Sequence, residues 1–389
     1  MNFTPIEQTF TIRYDYKLHF TQGLFNQENS LFVDLIKAYK PNKKVKLLFV
    51  IDDGVKFHHP DLDSEIAAYC KKYDSQLQHT ATIVVKGGES SKSDPAHVEE
   101  VIEAINENKI CRHSFVIAIG GGALVDMAGY AATIAHRGVK LIRIPTTVLA
   151  QNDAAVGVKN SVNALNKKNF LGTFATPYAI INDSDFLLTL EFRDWISGIA
   201  EAVKVALIKD KSFFEEVENN ASALCEREME PMQHLIYRCA QLHMHHIAQG
   251  GDPFESGSSR PLDFGHWAAH KLEAITNYNV RHGEAVAIGM ALDLTYAHLI
   301  GLIEESTLKR IIKVLEEVGF SLGIPLDSEM QYEELLNGIE EFREHLGGEL
   351  TITLISEIGV KHDVHEIDYG KMRQAMSMLN EFSTNKLSV

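Results

Sequence analysis

Short, nearly continuous apolar runs alternate with helical periodicity through the first half of the chain. Val45–Ile51 (VKLLFVI) ends at Asp52-Asp53-Gly54, and His79–Val85 (HTATIVV) ends in Lys86-Gly87-Gly88-Glu89. Phe115–Ile119 (FVIAI) runs straight into Gly120-Gly121-Gly122, and Lys140–Ile144 (KLIRI) stops at Pro145-Thr146-Thr147. Apolar runs of this length, bounded by glycine and polar clusters, read as strands buried in a sheet. Between them lie helical patterns such as Pro95–Asn106. Strand–loop–helix alternation predicts a mostly parallel α/β sheet.

After about Asp183 the texture changes. Arg193–Ala248 is almost continuously compatible with helix, and helical periodicity returns in Phe264–Thr276, Glu284–Leu299 and Thr307–Val318. Leu350–Ser356 (LTITLIS) reads as the last strand. The pattern divides the chain into an α/β unit over 1–183 and a mainly helical unit over 184–389. No internal repeat or low-complexity segment interrupts either.

Composition narrows the setting. The chain has 389 residues, with 45% hydrophobic and 23% charged, the proportions of a folded globular protein. Thirty-seven basic residues against 53 acidic give a net charge of −16, which argues against nucleic acid or an anionic membrane as the general partner. A local basic pocket is still compatible with that balance. The four cysteines (Cys70, Cys111, Cys225, Cys239) have no C-x-x-C spacing and suggest neither a disulfide framework nor a cysteine zinc site. The first residues lack a signal-peptide pattern, and no run of 18 apolar residues exists. The expected location is cytoplasmic.

Four strand ends carry the candidate chemistry of the first half. In a parallel sheet they fall on one carboxyl edge, where open α/β sheets bind ligands. Glycines let the backbone approach an oxyanion, and the helix after Gly120-Gly121-Gly122 offers free N–H groups. Each loop taken singly is also ordinary turn chemistry, and the glycine run is not G-x-G-x-x-G. Together the four favour a nucleotide or dinucleotide. Asp153, Lys159, Lys168 and Asn169 follow in a polar stretch that suits a phosphorylated small molecule or an exposed charged loop.

The helical half holds a sharper group. His266 and His270 are four residues apart and share a helix face, and His282 lies sixteen residues after His266. Upstream, Glu201 and Lys204 are one helical turn apart. One glutamate and two histidines make a common catalytic metal set with an open position. With 18 histidines in the chain, spacing alone also allows surface or core roles. The absence of H-E-x-x-H argues against a zinc protease.

Taken in order, the segments GGESSK, IGGGALVDMAGYAA, HRG, IPTTVLAQNDAAVGVKN, KKNFLG, FLLTL, GIAEAVK, RPLDFGHWAAHKLE and RHGEAVAIGM resemble the dehydroquinate synthase-like sugar phosphate cyclases, from about Asp52 to Ile358. The resemblance implies an N-terminal Rossmann-like NAD domain and a helical domain holding Zn2+ or Co2+, with the active site between. It implies Glu201, His266 and His282 as metal ligands. It sets Asp52, Glu89, Lys92, Gly121, Gly122, Asp126, Thr146, Thr147, Lys159, Lys168, Phe186 and Thr189 at NAD-contacting positions. Arg137, Asp153, Lys159, Asn169, Lys204 and His270 match the substrate pocket. Lys204 and His270 match polarising or proton-handling groups, and Lys159, Asn169 and Arg137 match phosphate-binding positions. The family is homodimeric, and the arginine matching Arg137 reaches the neighbouring active site.

The departures bear on the substrate. Dehydroquinate synthases bind a keto acid phosphate and read G-L-R-A-x-L-N-x-G-H before the first metal histidine. Here the segment is Gly257-Ser258-Ser259-Arg260-Pro261-Leu262-Asp263-Phe264-Gly265-His266, with Ser259 for the arginine and Asp263 for the asparagine. A family lysine becomes His245, and another aligns with His345. Cations are withdrawn and an anion is added, although Arg260 offers a replacement if the backbone shifts. The pattern looks like the sedoheptulose 7-phosphate cyclases of the 2-epi-5-epi-valiolone synthase type. These are carbon–oxygen lyases that oxidise the substrate transiently, expel phosphate, return the hydride and close the ring by an intramolecular aldol. Rival readings are 3-dehydroquinate synthase, sibling cyclases making 2-epi-valiolone or desmethyl-4-deoxygadusol, a metal-dependent polyol dehydrogenase, and a nucleotide-sensing protein without catalysis.

Overall fold

The computed structural model describes residues 3–165, 167–250, 254 and 262–384, without the side chains of residues 345, 383 and 384. Its strands in chain order are β1 (Leu18–Thr21), β2 (Val45–Asp52), β3 (Leu77–Val85), β4 (Phe115–Gly120), β5 (Lys140–Pro145), β6 (Lys159–Ala164), β7 (Lys167–Phe174), β8 (Ala179–Asp183), β9 (Ile352–Glu357) and β10 (Val360–Val364). Six form one sheet in the order β1-β8-β5-β4-β2-β3, with every pairing parallel.

The apolar runs explain the two-sided burial. Successive residues of a strand face opposite sides, so β2 sends Leu47, Phe49 and Ile51 into one core and Leu48 and Val50 into another. The first core is closed by the helices Leu31–Tyr39 and Leu62–Lys72 through Phe32, Ile36, Ile66 and Tyr69. The second is closed by Pro95–Glu107 and Gly122–Ile134 through Val101, Ile105, Leu124 and Ala128. The chain leaves β2 toward β3 but leaves β4 toward β5, so the strand order reverses between β2 and β4. That reversal opens a crevice at the carboxyl edge.

Beyond β8 the chain is built around one large core that gathers the helices Phe192–Lys209, Met229–Gln249, His266–Ile275, His282–Leu299 and Glu305–Glu317. Trp195 and Trp267 are both core residues, 1% and 2% exposed, each with its indole N–H spent on an internal acceptor. Among the described residues no helix is long and apolar enough to cross a membrane.

Three features depart from the expectation. The strand expected last is followed by β10, with which β9 forms an antiparallel pair. The helices Glu329–His345 and Tyr369–Thr384 are additional. The polar stretch from Asp153 to Asn169, read above as a possible exposed loop, folds as a π-helical turn over Ala150–Ala154 followed by the antiparallel β6–β7 ribbon.

Arg143 of β5 explains why such a polar segment is ordered. Its fully buried guanidinium donates to the carbonyls of Ala155 at 2.8 Å, Gly157 at 2.5 Å and Lys159 at 3.2 Å, and to Oδ1 of Asn160 at 2.8 Å. Burial lowers its pKa to about 10, which leaves it charged at neutral pH. Replacing Arg143 by Met strands several buried acceptors. It is expected to cost about 3 kcal/mol or more of unfolding free energy in a urea titration. A loss below about 1 kcal/mol would mean that the guanidinium does not hold this segment.

Candidate active site

Glu201 lies in the middle of the Phe192–Lys209 helix, in a stretch buried from Trp195 to Ile208, and is itself 1% exposed. Two further helices deliver imidazoles to it from their first residues: His266 opens one and His282 the other. Nε2 of His266 is 3.6 Å and Nε2 of His282 is 3.5 Å from Oε1 of Glu201. One ligand atom from each of the three side chains falls within 4.8 Å of the others.

The opposite ring nitrogens are fixed by neighbours. Nδ1 of His266 is 3.1 Å from the Phe264 carbonyl, and Nδ1 of His282 is 3.2 Å from Oε2 of Glu273. Both contacts place a proton on Nδ1 and turn Nε2 toward Glu201, the arrangement that orients metal-ligating histidines. Neither oxygen of Glu201 makes a hydrogen bond, although the Lys204 ammonium lies against Oε2. A buried carboxylate held by an ammonium at one oxygen, with its other oxygen facing two imidazole Nε2 atoms, fits a divalent cation.

A second trio, His270, Glu273 and His282, is equally compact. It is the poorer site, because both oxygens of Glu273 already accept from Lys168, at 3.0 and 3.2 Å.

The charges around the cluster are mutually compensated. Burial alone would raise Glu201, but the Lys204 ammonium and then His282 bring it down to about 2. Burial works against the charged form of His282, while Glu201 and Glu273 lift it to about 9. Burial, with the nearby charges of Lys204, His270 and His282, pushes His266 well below the usual imidazole value, as a neutral ligand requires. For Lys204 burial opposes the charge, and Glu201 and Asp153 together raise it above its usual value.

The π-helical turn brings Asp153 to this cluster. Burial and the Glu201 charge act to raise its carboxyl, but the His243 imidazole, 2.9 Å away, and Lys204 hold it below the ordinary range. His243 is a site residue that sequence reasoning missed. The reading above aligned His245 with a family lysine, but His245 is exposed and points about 200° around the helix from the buried His243. The α-helical register of the Met229–Gln249 segment was the available signal.

At the sheet edge the crevice between β2 and β4 gathers several of the other predicted residues. Asp52 caps a short helix by accepting from Gly54 and Val55 at 2.8 and 3.3 Å, and it also receives the Gly121 N–H. Thr146 donates its N–H to Gly120, and the Thr147 hydroxyl accepts from the backbone of Ala150. A Cβ on Gly122 would lie 2.9 Å from that of Ala154, so the glycine lets the π turn approach the triple-glycine loop. Lys92 and Asp126 pair at 2.7 Å, and Lys92 also holds Asn169. Glu89 accepts from Asn163, Lys168 is bound to Glu273, and Lys159 is exposed on β6.

Phe186 is largely buried in the first core, and Thr189 contacts His59 at 3.0 Å, at the end of the sheet next to β8. His270 is exposed beside the His266 and His282 rings, 5.4 Å from His266 between centroids. Asp263 is 8% exposed and accepts from the Thr353 hydroxyl of β9 at 3.1 Å. Arg137 stands apart, exposed, in a run of three left-handed residues with φ of 51° at His136, 61° at Arg137 and 111° at Gly138. Ser259 and Arg260 lie outside the described residues, as does the side chain of His345.

Comparison with known proteins shows the family and the fold. The family model for the 3-dehydroquinate synthase N-terminal region matches residues 82–197, and the C-terminal model matches residues 198–343. The chain is 30% identical over 363 residues to 3-dehydroquinate synthase of Shewanella frigidimarina, covering 93% of this chain and 96% of that one. Among solved structures it is similar to ValA, the 2-epi-5-epi-valiolone synthase of Streptomyces hygroscopicus subsp. jinggangensis, solved with NAD+ and Zn2+ bound. That match has a TM-score of 0.85 at 28% identity and covers 97% and 99% of the two chains. A 2-deoxy-scyllo-inosose synthase shares the fold with a TM-score of 0.76 at 22% identity, covering 92% and 95%.

Two measurements test the site. Glu201→Gln keeps the size of the side chain and removes the charge, so the zinc dissociation constant in a chelator competition should rise more than about 100-fold. An unchanged constant would place the cation elsewhere. The second concerns Asp293, fully buried beneath His266, which accepts from the Trp267 indole at 2.8 Å and the Gly265 N–H at 3.0 Å. Burial raises its pKa to about 7. A raised folded-state pKa contributes stability that is present in full below the ordinary carboxylate range and is lost as pH rises to about 7. Relative to Asp293→Asn, the parent protein should therefore lose stability between about pH 4 and pH 7. Parallel stability curves for the two would refute the raised pKa.

Proposed function

The chain belongs to the 3-dehydroquinate synthase family, and from that premise we propose that it is the member that closes sedoheptulose 7-phosphate to a valiolone-type cyclitol, 2-epi-5-epi-valiolone, with release of phosphate. In this reading residues 1–183 form the NAD-binding unit and 184–389 the metal- and substrate-binding unit. NAD supplies reversible hydride acceptance, and a zinc or cobalt ion supplies polarisation of substrate oxygens. Glu201, His266 and His282 hold the metal. The β2–β4 crevice, with Asp52, Gly121, Gly122, Thr146 and Thr147, receives the dinucleotide.

The chain's own groups then divide the work by charge. Lys204, kept protonated between Glu201 and Asp153, donates to a substrate oxygen and stabilises negative charge developing there. Asp153, kept ionised, accepts from a substrate hydroxyl and orients it, and His243 fixes the carboxylate in place. His270, exposed beside the ligand rings, is the group positioned to move protons to and from the pocket. Lys159 and Asn169 of the ribbon hold the phosphate. Arg137 completes that grip in a homodimer, presented to the neighbouring subunit by its left-handed backbone.

The observation that carries the substrate choice is Asp263. It is a buried carboxylate three residues before a metal ligand, held from β9 by Thr353. A substrate carboxylate beside it would meet like charge, which costs several kcal/mol in a buried contact. A hydroxymethyl end gives Asp263 a hydroxyl to accept from. The similarity to named 3-dehydroquinate synthases favours the second reading, in which the substrate is the keto acid phosphate.

The two readings separate in one assay. With NAD and zinc or cobalt, phosphate should be released from sedoheptulose 7-phosphate without net NADH, and NMR should identify the cyclitol. Release from the keto acid phosphate alone would overturn the reading of Asp263. Accumulating NADH without phosphate would point to a polyol dehydrogenase.

A further inference from the structure

Two consecutive residues of β7, Lys168 and Asn169, grip both halves of the molecule, Asn169 from a left-handed backbone with φ of 55°. Lys168 reaches the His266–Ile275 helix and donates to Glu273, whose side chain is 6% exposed. Glu273 in turn faces Nδ1 of His282 at 3.2 Å. The next residue, Asn169, accepts through Oδ1 from the Lys92 ammonium at 2.5 Å. Lys92, 5% exposed, also donates to Asp126 at 2.7 Å, on the helix that follows the triple glycine. The second strand adds Asn163, which donates to Glu89 at 2.9 Å beside the loop after β3. A continuous chain of polar contacts thus runs from the sheet edge through Lys92, Asn169, Lys168 and Glu273 to His282.

We infer that the β6–β7 ribbon is a clasp, in which the Lys168–Glu273 pair positions His282 while the Lys92–Asn169 bond ties the ribbon to the sheet edge, so that ligand binding in one half changes affinity in the other. The inference rests on the reading that the helical half binds a divalent cation and the sheet edge binds NAD. Lys168 is here a positioning residue that acts on His282 through Glu273. Two features favour coupling over a static strut. The Lys168–Glu273 pair is largely withdrawn from water, at 26% and 6% side-chain exposure, so its loss is felt more than that of a surface pair. The two grips also sit on consecutive residues, so the ribbon cannot shift at one without shifting at the other. A clasp already closed for one ligand is closed for the second, and thermodynamic reciprocity makes the effect equal in both directions.

The test is the zinc dissociation constant of the full chain by chelator competition, with and without saturating NAD, alongside direct titration of NAD. In the parent protein NAD should tighten zinc by at least about fivefold, the lower end of ordinary coupling. Glu273→Gln, which breaks the grip from the helix side, should reduce that ratio below about twofold while both ligands still bind, and Glu273→Asp, which keeps the charge, should restore part of it. If Glu273→Gln does not fold, Asn163→Ala loosens the ribbon's hold on the sheet edge and is expected to lower the ratio in the same way. A ratio that survives in the variants, or is absent from the parent although zinc and NAD both bind, overturns the clasp and leaves the functional reading intact. Failure to bind zinc or NAD at all overturns the functional reading, and the clasp with it.

Discussion

The constraint on which the rest of the structure depends is the burial of one carboxylate. Glu201 sits inside a helix whose residues from Trp195 to Ile208 are all withdrawn from water, with no hydrogen bond to either oxygen. An isolated anion there would cost many kcal/mol, so neighbours must neutralise it. Lys204 one turn on, His266 and His282 do so, and each must come from an element packed tightly against the Glu201 helix. Backbone approach is what permits this. A Cβ on Gly283, next to His282, would lie 2.2 Å from the Ser197 carbonyl of the Glu201 helix. A Cβ on Gly289 would lie 2.1 Å from the carbonyl of Gly265, the residue before His266. These glycines thus let His266 and His282 approach Glu201.

The sheet half solves a different problem with the same means. Its ligand edge exists because the strand order reverses between β2 and β4, and glycines keep the loops there low. A Cβ on Gly87 would run into Asp52, and one on Gly120 into Leu124. Arg143 then carries the chain from the sheet to the π turn and ribbon, so a fully buried cation in one half fixes the backbone that delivers Asp153 and Lys159 to the other.

Legibility in the sequence followed how local each signal was. Strands β2 to β5 and the helices bearing Glu201, His266 and His282 were readable because strands in a sheet are short apolar runs and buried helices keep their period, whereas the short internal strand β8 was not. The ribbon was not, because β6 and β7 are held by side-chain bonds to Lys92, Glu89 and Glu273 and carry no apolar alternation of their own. His243 and Glu273 escaped for a related reason. Each acts on a residue more than one helix turn or one element away, Asp153 and His282 respectively, and nothing in spacing couples those positions. Trp267, next to His266, is assigned to the core by its bond to the buried Asp293.

The acidic end of the pocket gives the specificity argument its physical content. Asp263 lies close enough to Asp293 that its charge helps to raise the Asp293 carboxyl, after burial. Asp263 accepts from the Thr353 hydroxyl, and Asp293 from the Trp267 indole and the Gly265 amide. The protein therefore brings two acids together beside His266. In the proposed reading, a substrate carboxylate at that end would meet the acid of Asp263. A hydroxyl would instead supply one more neutral donor of the kind the surroundings already use. On this argument discrimination between the two sugar phosphates rests less on which cations are absent than on how the acids present are held.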